Sequence, residues 1–267
     1  MKKYWSIFKI SFQQEFVYRL NFIMWRVRNV IQIFLVYFLW STIFSDNTRT
    51  LFGYDRAKIL TYIFGILIVR AVVLSARAVD VTNEIARGDL TNYLLKPISY
   101  FKYWLTRDLS SKVLNLFFAV FEFLFLYLIL RPEIFLQTDP FNLIFFAISL
   151  MFAVFLFFVI LFITSAVSFW APEISWGAQF FIIFVIIEFL SGSLFPIDIL
   201  PVFMQKILYL TPFPYLIFFP LQVYLGKISD LAVLGGLLTT LVWSVTLWFL
   251  MTSIWRRGIR IYKAEGR

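Results

Sequence analysis

Residues 141–170 read FNLIFFAISLMFAVFLFFVILFITSAVSFW, thirty positions without a charged side chain. A bilayer-spanning helix needs about 20 consecutive, mostly apolar residues. This stretch exceeds that and has length to tilt or protrude. Ala171-Pro172-Glu173 ends it. The same reading extends outward in both directions. Residues 109–130, closed by Arg131-Pro132, and residues 176–195 flank it, and 22–44, 56–79 and 231–255 complete six expected spans. Composition agrees: 61% of the 267 residues are hydrophobic, with 35 Phe and 9 Trp, against roughly half in a soluble domain. The expected fold class is an all-α integral membrane domain comprising the whole chain, 1–267.

The segments between the spans are less uniform. Residues 1–20 place Trp5, Phe8, Phe12 and Phe16 on one helical face, with Lys2, Lys9, Gln13 and Gln14 elsewhere. That is the pattern of a helix lying in the membrane interface; an early start to the first span is the other reading. A polar loop, Ser45–Asp55, contains Asp46, Asn47 and Gly53. The polar stretch 80–108 is too long for a tight turn and too short for a domain. Five of the nine prolines (Pro196, Pro201, Pro212, Pro214 and Pro220) crowd into residues 196–226. Proline removes an amide donor and clashes with the preceding turn. Short helices near 202–210 and 215–225 are therefore expected there, shielded by protein or facing water. No internal repeat is visible, which disfavours an inverted-repeat transporter.

Orientation follows from the basic residues. With the N-terminus inside, seventeen of the 24 Lys and Arg fall in or beside the N-terminal segment, residues 80–108 and the C-terminal tail. Arg49, Arg56, Lys58, Arg131, Lys206 and Lys227 fall outside, and Arg70 lies within a span. Both termini and residues 80–108 are thus expected in the cytoplasm and residues 196–226 outside. The net charge of +9 is accounted for by these loops without nucleic acid. Met1-Lys2-Lys3 is followed by an amphipathic pattern, not by a signal-peptide core and cleavage site.

The chain has no cysteine and no histidine, so zinc sites and Cys or Ser–His nucleophile systems lose their commonest groups. Ser–Lys and all-carboxylate chemistry stays open. No G-x-x-x-x-G-K-[ST] phosphate loop is present, and no segment is large enough for a nucleotide-binding domain. The expectation is a non-enzyme that binds no metal or cofactor itself, any ATP use being supplied by a partner. Within 80–108, a helix is expected to end near Gly88, with Asp89 or Thr91 capping the next. Leu90, Leu94 and Leu95 form an apolar stripe among charges. It suits a groove on a partner, or else an interfacial helix between two spans.

Ionisable groups inside spans are costly and face the protein interior or a cavity. Arg70, Glu122 and Glu188 qualify. Counting about 1.5 Å per residue, Arg70 and Glu122 reach similar depths and are expected to pair between the second and third spans. They serve either a substrate or coupling path or, as a buried pair, helix register. Glu188, just before Ser191-Gly192-Ser193, is expected to line an exit or bind a cation.

Two stretches are recognisable. The first is Glu84-Ile85-Ala86-Arg87-Gly88-Asp89-Leu90 with Leu94-Leu95-Lys96-Pro97-Ile98. The second is Ser191-Gly192-Ser193-Leu194-Phe195-Pro196 with Pro201, Thr211-Pro212-Phe213 and Pro220-Leu221-Gln222-Val223-Tyr224-Leu225-Gly226. In this order, across nearly the whole chain, they resemble the permeases of bacterial ABC-2-type transporters. The resemblance implies an amphipathic elbow at 1–20. It implies a coupling helix in Glu84–Pro97, with Glu84, Arg87, Gly88, Asp89, Leu90, Leu94, Leu95, Lys96 and Pro97 meeting an ATPase. It also implies an extracellular re-entrant hairpin bearing Gly192, Pro196, Pro201, Pro212, Pro220 and Gly226. The implied assembly has two ABC ATPase subunits using ATP and Mg, a second permease, identical or homologous, and surrounding lipid. Its implied place is the bacterial inner membrane, and its implied work is export of an unidentified substrate. The tripeptide Ala86-Arg87-Gly88 also matches an element of vitamin-importer coupling subunits, but no second copy occurs. A membrane-embedded lipid-modifying enzyme and a non-transporting scaffold are the alternatives.

Overall fold

The computed structural model describes residues 2–17, 19–46 and 50–262. Expectations on Asn47, Arg49, Lys263 and Arg267, and on the side chains of Lys2, Phe16, Arg19 and Leu94, lie outside the described residues.

Every regular element among the described residues is helical. Helix α1 (Lys2–Val17) lies against α6 (Tyr100–Leu130). Its enclosed face is polar: Ser11 and Glu15 are buried, and the Phe8 carbonyl accepts from Ser110 Oγ at 3.1 Å. Trp5 and Ile10 point away from the protein. The aromatic stripe is therefore not one outward face, because seating the helix on α6 half-buries Phe8 and Phe12.

Helix α2 (Arg19–Ile43) is followed by α3 (Arg56–Val73), which starts where Asp55 Oδ1 accepts the Lys58 amide at 2.7 Å. Such a cap satisfies one of the orphan amides of a first turn. Ile59, Leu60, Tyr62, Ile63, Val69 and Val73 of α3 are fully enclosed among α2, α6, α7 and α11. The helix stops at Val73, short of residue 79, because the Arg70 carbonyl takes the amides of both Leu74 (2.9 Å) and Ser75 (3.2 Å). The chain resumes as a 3-10 turn, Arg77–Asp80, and α4 (Val81–Ala86), bent 53° from α3.

Helix α6 begins at Tyr100, well before the expected span at 109. Residues 80–108 are thus no simple loop but a turn, α4, α5 (Thr91–Leu94) and the foot of α6. Neither Asp89 nor Thr91 caps α5, whose N-cap is Leu90 with no side-chain bond. Arg131 ends α6 in the left-handed region (φ 44°) before Pro132.

Helix α7 (Pro140–Ser165) starts on an Asp139 cap with proline in its first turn, where proline is tolerated. It continues as a 3-10 turn, Ala166–Phe169. Along it packs α12 (Asp230–Ile261), with Trp255 Nε1 donating to the Phe162 carbonyl at 2.9 Å. Between them in sequence come α8 (Ser175–Phe181), a π-helical stretch Ile182–Ile187 and α9 (Glu188–Leu190). The proline-rich stretch folds as a 3-10 turn Ile197–Ile199, α10 (Val202–Tyr209), a second turn Phe213–Tyr215 and α11 (Phe218–Tyr224).

Among the described residues, three helices are long and apolar enough to cross a bilayer: Tyr100–Leu130, Pro140–Phe169 and Asp230–Ile261. The bent pair Arg56–Val73 and Arg77–Ala86 makes a fourth if taken as one span, and Ser175–Leu190 is a shorter apolar helix. Helix α2, 25 residues long, carries Arg26, Arg28, Asn29 and Gln32 along its middle.

Candidate functional site

Two groups of side chains stand out, one deep between the helices and one at the turn joining α4 to α6. The deep group depends on the π-helical stretch. Its i→i+5 hydrogen bonds span one residue more than those of an α-helix, which rotates the downstream helix, and π-turns inside helices recur at functional sites. Glu188, the first residue after it, points inward and is buried. Its Oε1 accepts from Arg70 Nη1 at 2.5 Å and from Gln32 Nε2 at 2.7 Å. The same Arg70 nitrogen donates to Ser193 Oγ at 2.9 Å. Arg28 lies 5.3 Å from the Phe184 ring on the π-stretch. A cavity of about 20 Å³, lined by polar Asn29, Gln32, Arg70 and Ser193, adjoins the pair. It has room for a water and for nothing larger.

Gly192 holds this arrangement open. It adopts φ +83°, and its carbonyl accepts from Tyr62 Oη at 2.7 Å. A β-carbon there would stand 2.7 Å from Tyr62 Oη and 2.8 Å from Phe218 Cβ.

Arg70 and Glu122 do not pair. Glu122 instead meets Arg26 of α2, with Oε2 3.3 Å from Nη1, and Arg26 Nη2 also donates to Asn115 Oδ1. Equal depth along two helices says nothing of azimuth. The side of α3 that meets α6 is apolar, with Phe64 against Phe123 at 5.6 Å, while Arg70 sits on the side shared with α2 and α9. The sequence reading missed Arg26, Gln32 and Ser193 as members of these clusters. The signal is the polar run Arg26, Arg28, Asn29, Gln32 in the body of α2, whose arginines read in the sequence as cytoplasmic charge.

At the α4–α6 turn, α4 is anchored from inside. Thr82 Oγ1 donates to Gln179 Oε1 at 2.7 Å and lies 3.0 Å from Ser165 Oγ, while Ser168 Oγ donates to the Thr82 carbonyl at 3.1 Å. Glu84 is half-buried and accepts from Tyr100 Oη at 2.7 Å. Burial pushes its carboxyl above the ordinary range, against that hydrogen bond. Gly88, at φ +84°, reverses the chain. The leucine stripe then divides. Leu90 is fully buried and belongs to the core, whereas Leu95 is 82% exposed. The reversal at Gly88 turns Leu90 back under α4, so it presents nothing to a partner. Arg87, Asp89, Lys96 and Pro97 are exposed. Lys96 covers the Tyr93 ring at 4.9 Å, and Lys3 Nζ donates to the Pro97 carbonyl at 3.0 Å, bringing the start of α1 to the same place. A cleft of about 470 Å³ runs between Glu84, Asp89, Asn92, Tyr93, Leu95 and Lys96.

The proline-rich stretch is latched rather than loose. Pro196 and Pro201 bracket its first turn, Pro212 precedes the second, and Pro220 is buried within α11. Beyond Gly226 (φ +61°), Lys227 Nζ meets Asp198 Oδ2 at 2.8 Å and lies over the Tyr54 ring. Tyr54 Oη donates to Asp198 Oδ1 at 3.1 Å, joining the 50–55 loop to the same point.

Comparison with known proteins returns one family. The sequence model described as "ABC-2 family transporter protein" matches residues 30–266, and no curated protein matches the chain. The match takes in Gln32, Arg70, Glu188 and Ser193 of the deep cluster, the α4–α6 turn and the proline-rich stretch together. The chain belongs to the ABC-2 family of transporter proteins, multi-pass membrane permeases of ABC transporters that work with an ABC ATPase.

Proposed function

We propose that this chain is the membrane-spanning subunit of an ATP-driven exporter in a bacterial inner membrane. Six segments cross the bilayer, both termini face the cytoplasm, and residues 196–226 lie outside. Two copies of a separate ATPase, using ATP and Mg, dock on the α4–α6 turns of two permease chains, identical or homologous. ATP-driven closure of the ATPase dimer pushes on these turns and shifts the helices. Substrate then leaves past the proline-rich hairpin. The cluster of Arg70, Glu188, Gln32 and Ser193 lies on that path, which must widen from its present dimensions for a solute to pass.

One observation carries the reading. Within a family that works with an ABC ATPase, residues 87–97 present Leu95 outward beside exposed Arg87, Asp89 and Lys96, while α4 beneath them is pinned to α7 and α8. An exposed apolar residue in a charged rim on a rigid base suits a groove on a partner. The test is to purify the tagged chain gently from its host with whatever accompanies it. An ABC ATPase at about one copy per permease is expected, and Leu95→Glu should lower its yield about tenfold or more without affecting membrane insertion. Repeated recovery without any ATPase would refute the reading. Wild-type recovery with Leu95→Glu would move the docking surface elsewhere.

A further inference from the structure

The bend between α3 and α4 strands backbone groups on both sides, carbonyls at the end of α3 and amides at the start of the next turn. One face of α6 supplies partners to both. Lys112 Nζ donates to the Val73 carbonyl at 3.0 Å and to the Ser75 carbonyl. Asp108 Oδ1 accepts the Arg77 amide at 2.8 Å and the Ala78 amide at 3.5 Å. The two side chains sit one helical turn apart, approach each other to 3.3 Å, and are 6% and 0% exposed. A cation thus meets a helix C-terminus and an anion an N-terminus, the signs that the helix dipole favours. Ala76, in the local capping position, makes no side-chain cap, so Asp108 caps the turn from another helix. Glu15 of α1 grips the same turn through Arg77 at 2.6 Å.

We propose that Asp108 and Lys112 are positioning residues of the transport cycle, a clamp that makes the α3–α4 bend and the foot of α6 move as one body. The proposal rests on residues 87–97 being the ATPase-facing turn. That turn is joined to α4 at one end and to α6 at the other. Opening the bend while α6 stayed still would strip an enclosed lysine and an enclosed aspartate of their partners together. Uncompensated buried charge is strongly unfavourable, so α6 follows the bend. It is one helix of 31 residues, about 45 Å long at about 1.5 Å per residue, so a tilt at its foot reaches Leu130. Along the way Asn115 and Glu122 hold Arg26, and α2 is drawn with it.

The sequence lacks cysteine, so paired spin labels can be placed cleanly on the chain in complex with its ATPase in nanodiscs. Labels at Asn83, exposed on α4 outside residues 87–97, and at Arg256 follow the bend and the turn it carries, and labels at Leu128 and Leu238 follow the far end of α6 against α12. The variant Asp108→Asn/Lys112→Met removes both charges together and leaves neither buried alone. In the unsubstituted complex both distances should change by about 2 Å or more on trapping with ATP and vanadate. In the variant the first change should persist and the second should vanish. An undiminished second change in the variant overturns the proposal. Absence of the first change in the unsubstituted complex removes the ATPase-facing reading of the turn, and the clamp with it. A second measurement does not depend on the variant folding. Amide exchange at Arg77 and Ala78 should be equally slow with and without trapping, and an acceleration of about tenfold or more would show that the clamp opens and would overturn the proposal.

Discussion

Removing Arg70 while keeping Glu188 tests the deep cluster most directly. In Arg70→Met, Glu188 Oε1 keeps Gln32 Nε2 at 2.7 Å but loses the guanidinium at 2.5 Å, and its side chain is only 8% exposed. Breaking a buried pair from one side costs about 3–5 kcal/mol. A charge at the centre of a spanning helix costs about 3 kcal/mol on insertion scales, so the two routes agree. Removing both charges is expected to be far milder, because neither member of the pair is then left buried alone. The assay is a double-mutant cycle of Arg70→Met and Glu188→Gln, read by thermal unfolding of the detergent-purified protein. A loss of about 3 kcal/mol corresponds to a fall of about 6–12 °C for a chain of this size. The single Arg70→Met should show that fall, and the double variant should recover most of it. A second cycle supplies the control. Arg70→Met with Glu122→Gln should be additive to within about 0.5 kcal/mol, as for groups without shared partners. Additivity in the Arg70–Glu188 cycle, or coupling in the Arg70–Glu122 cycle, would refute the assignment of partners.

Leu90 and Leu95 of the α4–α6 turn should behave oppositely. Leu90→Ala should destabilise the protein by about 2–5 kcal/mol, as buried Leu→Ala changes do, and leave the docking face intact in any molecule that folds; a drop in ATPase recovery from stable protein would contradict its place in the core. Gly192→Ala forces a β-carbon to 2.7 Å from Tyr62 Oη at a left-handed backbone position. The structure must shift, and a melting temperature within about 2 °C of the parent would show that the close approach is absent. For Glu84, burial raises the carboxyl pKa, so the folded protein holds this proton more tightly than the unfolded chain. Its contribution is most favourable below the ordinary carboxylate range and is lost as pH rises through the raised value. Glu84→Gln keeps an acceptor for Tyr100 and removes that loss. The variant should match the parent at low pH and equal or exceed it at neutral pH; a parent more stable than the variant at neutral pH would contradict the sign.

Much of this protein was legible in one dimension. Long apolar runs must be helical in lipid, because no water is there to satisfy the backbone. The extent of Pro140–Phe169 could therefore be read directly. Prolines at 201, 212 and 220 made short helices in residues 196–226 a matter of local sterics. The kinship carried by the Glu84–Ile98 and Ser191–Gly226 stretches also needed no coordinates.

Partner choice did not follow from such local rules. Depth along a helix comes from counting residues, but azimuth depends on how neighbouring helices pack. Only the folded chain therefore assigned Arg70 to Glu188 and Arg26 to Glu122. The same holds for Leu90 and Leu95, alike in sequence yet separated by a left-handed Gly88 into core and surface. It holds most strongly for Lys112, which reads as one more cytoplasmic charge. Its role at the bend exists because α6 passes within hydrogen-bonding distance of the end of α3, 39 residues earlier in the chain. Sequence determined the membrane class and the long apolar runs that become helix, since those depend on each residue's own solvation and backbone freedom. Tertiary structure decided which charges meet and which face is free, since those depend on residues far apart along the chain.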